Sequence, residues 1–198
     1  MGINQQRQTP DDLFRVLDAE FHFDIDVAAD AENRKCTRFI NEETNAFVRP
    51  WFSVRERTHV AFCNPPWENI HVWFQRAYEE TLRVHGSVAV VISHVTCSAK
   101  AVPWLRLADD VRFLVPRPQF KVPEGWWACP YCKTDYWDTN TESVAIACPR
   151  CDGLCRRYKD SSNPRDVQVT VFRNQYMKRH VWPEIDGPRF SYWEWKTK

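Results

Sequence analysis

Two consecutive prolines, Pro65 and Pro66, impose the tightest local constraint in the chain. Each ring holds φ near −65° and removes an N–H donor, so a segment arriving in extended form must stop there. What arrives is His59-Val60-Ala61-Phe62-Cys63, a short apolar run that reads as a strand. What leaves is helical: Ile70, Trp73, Phe74, Ala77, Tyr78 and Thr81 recur at helical spacing up to Gly86, placed as the C′ residue. Ser87-Val88-Ala89-Val90-Val91-Ile92 then reads as a fully buried strand. Strand, helix and buried strand make a βαβ unit, so the core is predicted to be α/β with a parallel sheet.

The corner Asn64-Pro65-Pro66-Trp67 is rigid and polar at the point where that strand ends. The Asn64 carboxamide oxygen and the Pro65 carbonyl are placed to accept both hydrogens of an exocyclic amine, while Trp67 offers a flat face to the ring bearing it. Those are the parts of a nucleobase site. The alternative is a Pro-Pro turn closing an ordinary strand, with Trp67 in the core.

Upstream, Thr9 reads as an N-cap with Pro10 at the first helical position, and Asp12 completes a capping box. Leu13, Phe14, Leu17 and Phe21 supply the buried stripe. Residues 21–27 then alternate as a strand, with Phe21, Phe23, Ile25 and Val27 on one face and His22, Asp24 and Asp26 on the other. Acids at the carboxyl end of a strand in an open α/β sheet suit a ribose hydroxyl or an ammonium group, which makes Asp24 and Asp26 candidates; a solvated strand face is the alternative. Further strands are expected at 111–115 and at 167–172, the latter with one polar face.

Of eight cysteines, four form two close pairs, Cys129 with Cys132 and Cys148 with Cys151, and the rest are scattered. That spacing meets the pattern of a four-cysteine zinc ribbon, whose metal supplies folding energy that about thirty residues cannot draw from a core. Cys155 reads as a spare thiol. A zinc deaminase is excluded because none of the six histidines belongs to a His-x-Glu. The polar first eight residues and the lack of an 18-residue apolar run point to a cytoplasmic protein with no membrane span. With a net charge of +1, contact with nucleic acid must come from local basic patches. The candidates are Arg117 and Lys121, with Arg150, Arg156 and Arg157 on and after the cysteine segment; a solvated charged surface is the alternative.

Taken together, Thr9-Pro10, Leu13-Phe14, residues 21–29, Asn33, Cys36, Phe39, residues 62–67, Ile70 and Trp73 resemble, in order and spacing, the phage-type N6-adenine DNA methyltransferase (Dam) family. The likeness runs from Thr9 to Lys121 and resumes from Asn163 to Arg173, with the ribbon as an insertion. It implies domains at 1–125 (methyltransferase core), 126–160 (zinc ribbon) and 161–198 (closing strand and tail). It further implies a Rossmann-like sheet binding S-adenosylmethionine through Thr9, Pro10, Asp24, Asp26, Ala28 and Asn64. The substrate it implies is double-stranded DNA, with an adenine flipped into the Asn64-Pro65-Pro66-Trp67 corner and methylated on N6. The chain departs from the pattern in three places: Trp67 at the corner, Asn45 where an acid is expected, and Pro116-Arg117-Pro118 in place of Gly-Arg. Two other readings stay open: methyl transfer to RNA adenine, cytosine N4 or protein glutamine, and an inactive methyltransferase-fold zinc protein that binds a host factor.

Overall fold

The computed structural model describes residues 8–120, 126–132, 135–138, 145–157, 166–174 and 189–196. The chain opens with α1 (Asp11–Phe21), whose Leu13, Leu17 and Phe21 are buried at helical spacing. Pro10, not Thr9, is the N-cap: its φ of −57° and ψ of 141° hold it just outside the helix, and its carbonyl accepts the Phe14 N–H at 3.0 Å. The predicted capping box is absent, because Asp12 Oδ1 accepts the neighbouring Leu13 N–H at 2.9 Å. At the other end His22 turns left-handed (φ 56°) and donates to the Asp18 carbonyl. The strand expected over 21–27 therefore shrinks to β1 (Ile25–Asp26), since the helix keeps Phe21 and its cap consumes His22.

The main sheet adds β2 (Arg38–Phe39), β3 (Val60–Cys63), β4 (Val88–His94), β5 (Asp110–Val115), β10 (Val167–Arg173) and β11 (Arg189–Glu194), in the order β11-β5-β10-β4-β3-β1-β2. Only β10 is reversed; it runs antiparallel to both of its neighbours, β4 and β5. From β1 the chain moves outward to β2 and then crosses back to β3 on the other side of β1, so the strand order reverses there. In open α/β sheets such a reversal leaves a crevice at the carboxyl ends of the strands.

Helices α2 (Ile70–Thr81) and α3 (Val102–Leu105) pack on one face of the sheet, against Ala61, Cys63, Ala89, Val91 and Phe172. Helix α1 packs on the other, against Phe62, Val90, Ile92, Val169 and Val171. Successive residues of β3, β4 and β10 thus enter opposite cores, which is why β4 is continuously apolar from Val88 to Ile92. The polar face expected on β10 is buried: Gln168 and Thr170 are covered, and Gln168 Nε2 donates to Thr170 Oγ1 at 3.0 Å. Helix α2 stops at Thr81, so Gly86 (φ 77°) serves the turn before β4 instead of capping the helix. Nor does β10 close the sheet. The tail, which carries no readable pattern, forms β11 parallel to β5, and buried Trp195 anchors it by donating Nε1–H to the Pro116 carbonyl at 2.6 Å.

A second sheet of four antiparallel strands is formed by β6 (Trp126–Ala128), β7 (Asp135–Trp137), β8 (Ala145–Ala147) and β9 (Leu154–Arg157), in the order β7-β6-β9-β8. It has a small core of its own, with Trp127, Cys129, Cys148 and Cys155 buried. No helix among the described residues is long and apolar enough to cross a membrane.

Candidate functional site

The crevice at the strand reversal is a cavity of about 520 Å³. Its wall is drawn from residues 26–30 at and after the end of β1, Ile40 and Asn41 after β2, Asn64 and Pro66 after β3, and Ala46, Phe47 and Trp73. A volume of that size suits a ligand of nucleoside or amino-acid-nucleoside dimensions. Thr9 also lines it and is 2% exposed, so the residue expected to cap α1 faces the cavity instead.

The two candidate acids have separated. Asp26 lies in the wall, 3% exposed, its Oδ1 accepting the Ala28 N–H at 3.3 Å and its Oδ2 the Lys35 N–H at 3.0 Å. Burial pushes its carboxyl up to about 6 from the ordinary 3.8, against the opposing pull of those two N–H groups and the Lys35 charge. Asp24 lies outside the lining. Its Oδ2 accepts the N–H groups of His59 and Val60 at 2.8 and 2.9 Å, tying the start of β3 to the segment before β1. Asp24 thus does a structural job in the fold, with its Oδ2 occupied by main-chain donors. Pro10 is likewise outside the lining, while Ala28 and Asn64 are in it.

At the corner, β3 ends at Cys63 and Asn64 and Pro66 reach the cavity, whereas Pro65 and Trp67 do not line it. The Trp67 ring meets Phe120 edge-on, centroids 5.3 Å apart, and His94 at 5.8 Å. Trp67 is thus packed by Phe120 and His94 and is not part of the cavity lining. A second aromatic pair, Phe47 with Trp73 at 4.6 Å, does border the cavity. Helical spacing accounts for Trp73; nothing local identifies Phe47.

In the second sheet the Sγ atoms of Cys129, Cys132, Cys148 and Cys151 all lie within 4.8 Å of one another. Cys129 and Cys151 are 3.5 Å apart and Cys132 and Cys148 3.7 Å, against the ~3.8 Å edge of a tetrahedron of thiolates about 2.3 Å from Zn²⁺. Four sulfur donors so placed fit zinc. Cys155 is buried outside this group, its thiol directed at the Gly153 carbonyl.

Of the basic candidates, Arg117 pairs with Asp166 at 2.8 Å. Arg150 follows the Cys148 turn and donates its N–H to Cys148 Sγ, and Arg156 and Arg157 lie in β9. Lys121 lies outside the described residues.

The family model described as DNA N-6-adenine-methyltransferase (Dam) matches residues 3–141, which takes in β1 to β5, the cavity and the first cysteine pair. A DNA N-6-adenine-methyltransferase of Escherichia phage T1 is 32% identical over 73 residues, 36% of this chain and 29% of that relative, so the match spans under a third of the relative's length. Because the family match takes in well over half of its 198 residues, the chain belongs to the DNA N-6-adenine-methyltransferase (Dam) family.

Proposed function

We propose that the chain is an S-adenosylmethionine-dependent methyltransferase acting on the N6 amine of adenine in double-stranded DNA, built on a Rossmann-like methyltransferase sheet. The observation that carries this reading is a buried carboxylate, Asp26, on one wall of a cavity at the strand reversal, with Asn64 of the Pro-Pro corner on another. A buried acid with a raised proton affinity is best satisfied by a cation or by hydroxyl donors, and the cofactor's ammonium and ribose offer both. Thr9, Ala28 and Asn64 complete the contact set on the lining, and S-adenosylmethionine, when bound, supplies an electrophilic methyl group.

The chain's own part is alignment. The adenine amine is a poor nucleophile because its lone pair is delocalised into the ring. Asn64 and the Pro65 carbonyl, accepting both amine hydrogens, favour a more tetrahedral nitrogen, and the Pro-Pro corner holds both acceptors in place beforehand. Asn64 has no useful proton affinity, so it positions and polarises. Trp67, braced by Phe120 and His94, stacks the extruded base and offsets part of an unstacking cost of a few kcal/mol. Holding two reactants in line accounts for most of the acceleration.

The four cysteines hold one structural Zn²⁺, which orders a ribbon over 126–160 between a core at 1–125 and a closing segment at 161–198. Arg117, Lys121, Arg150, Arg156 and Arg157 meet phosphates, and the enzyme works in the host cytoplasm. Calorimetry with S-adenosylmethionine and mass spectrometry of nucleosides from treated DNA test the reading. No cofactor binding at millimolar ligand by folded protein would leave the inactive zinc protein standing, and label in RNA, cytosine or protein glutamine would move the substrate.

A further inference from the structure

We propose that Arg76 and Glu80 of α2 are positioning residues that clamp wall segment 45–52 in its ligand-receiving form, a role that rests on reading the cavity as the cofactor site. Glu80 is 0% exposed, and a carboxylate taken out of water is tolerated only when it is paired and hydrogen-bonded. Its Oε2 accepts the Trp51 N–H at 2.8 Å, while its Oε1 has charge contact alone, without hydrogen-bond geometry, with Arg76 Nη2 at 2.9 Å and more distantly with Arg83. Arg76 then spends its fork on the same segment: Nε donates to the Ala46 carbonyl and Nη2 to that of Arg49, each at 3.1 Å. Trp51, itself buried, adds a bond from Nε1 to the Ala46 carbonyl at 2.8 Å. Two side chains one helical turn apart thus hold both ends of a loop whose Asn45 is left-handed and whose Ala46 and Phe47 form cavity wall.

The helix does not need this pair for itself. Ile70, Phe74 and Ala77 already pack α2 on the sheet, and a buried ion pair is an expensive substitute for apolar contact. Among the described residues, and apart from the distant Arg83 contact, every side-chain bond the pair makes outside itself goes to segment 45–52. The same helix begins just after the Asn64-Pro65-Pro66-Trp67 corner and carries Trp73 against Phe47, so the clamp also sets the wall relative to the amine-binding corner.

Glu80→Gln keeps the shape and an acceptor for Trp51 but removes the counter-charge of Arg76; Arg76→Lys keeps the charge but loses the fork. S-adenosylmethionine affinity by calorimetry and amide exchange of the unliganded protein are read together. Glu80→Gln is expected to weaken binding about ten- to a hundredfold and to speed exchange across 45–52 by at least about tenfold, with β3 and β4 unchanged and Arg76→Lys in between. Folded variants with affinity within about twofold of wild type, or exchange rising equally in β3 and β4, would overturn the clamp. If Glu80→Gln does not fold, Arg76→Lys carries both readouts. Wild-type protein that binds no S-adenosylmethionine would sink the cofactor reading alone, because local exchange still decides whether the clamp exists.

Discussion

Asp26→Asn separates what the cavity acid does for the ligand from what it costs the fold. In the wild type the carboxyl is raised from 3.8 to about 6, burial being the main cause, opposed by the N–H groups of Lys35 and Ala28 and the Lys35 charge and reinforced by Asp30. Between those pH values the folded chain keeps a proton that the unfolded chain has released, so stability falls as pH rises through the window. At about 1.4 kcal/mol per pH unit, holding the ionised group costs about 3 kcal/mol by pH 7. A carboxamide carries no such charge, but its one oxygen serves only one of the two N–H groups now bonded, a loss of about 1 kcal/mol. The variant should therefore be about 2 kcal/mol more stable than wild type at pH 7, with the gain gone at pH 4. Urea unfolding of both proteins from pH 4 to pH 8 measures the difference. S-adenosylmethionine affinity should move the other way, falling by about thirtyfold or more at pH 7 with the loss of a charged acceptor, and wild-type affinity should itself decline below about pH 6 as the carboxyl protonates. A stability difference that does not change with pH, or wild-type affinity in the variant, would refute the assignment.

Asn64→Ala should abolish methylation while leaving S-adenosylmethionine affinity within a few-fold, because the amide acts mainly on the amine; activity within about a factor of ten of wild type would remove it from the mechanism. Asp24→Ala should cost about 2 kcal/mol in urea unfolding, since the His59 and Val60 N–H groups lose a shared charged acceptor, with cofactor binding unaltered in the protein that remains folded. Metal analysis should give one zinc per chain, released by Cys132→Ser and retained by Cys155→Ser, whose sulfur lies outside the four-sulfur group; zinc retained in Cys132→Ser would break the ligand set.

Features set by neighbours in sequence were the legible ones. The Pro-Pro stop, the apolar run of β4, the stripe of α2 and the paired cysteines each carry their physics within a few residues, and each stands where its pattern placed it. Asp24 and Asp26 look equivalent in an alternating segment, and only the arrival of His59 and Val60 beside one of them separates a structural acid from a cavity acid. The polar face of β10 was legible but its burial was not: β10 is covered on both faces, and the Gln168 amide donates to Thr170 Oγ1 there. Nothing local marks Glu80, because its burial depends on a loop segment 29 residues upstream. Thr9 left the cap for the cavity because Pro10, with its fixed φ, takes the N-cap position at the start of the helix.

The reversed strand β10 sits between β4 and β5, yet it is made after the whole cysteine segment. During synthesis, β4 and β5 therefore emerge with their inner edges bare, because the strand that joins them comes later in the chain. Unpaired edges of this kind recruit other chains. On the zinc reading proposed above, cysteine hairpins that stay open without metal would delay the arrival of β10, and zinc shortage is expected to lower the yield of folded protein.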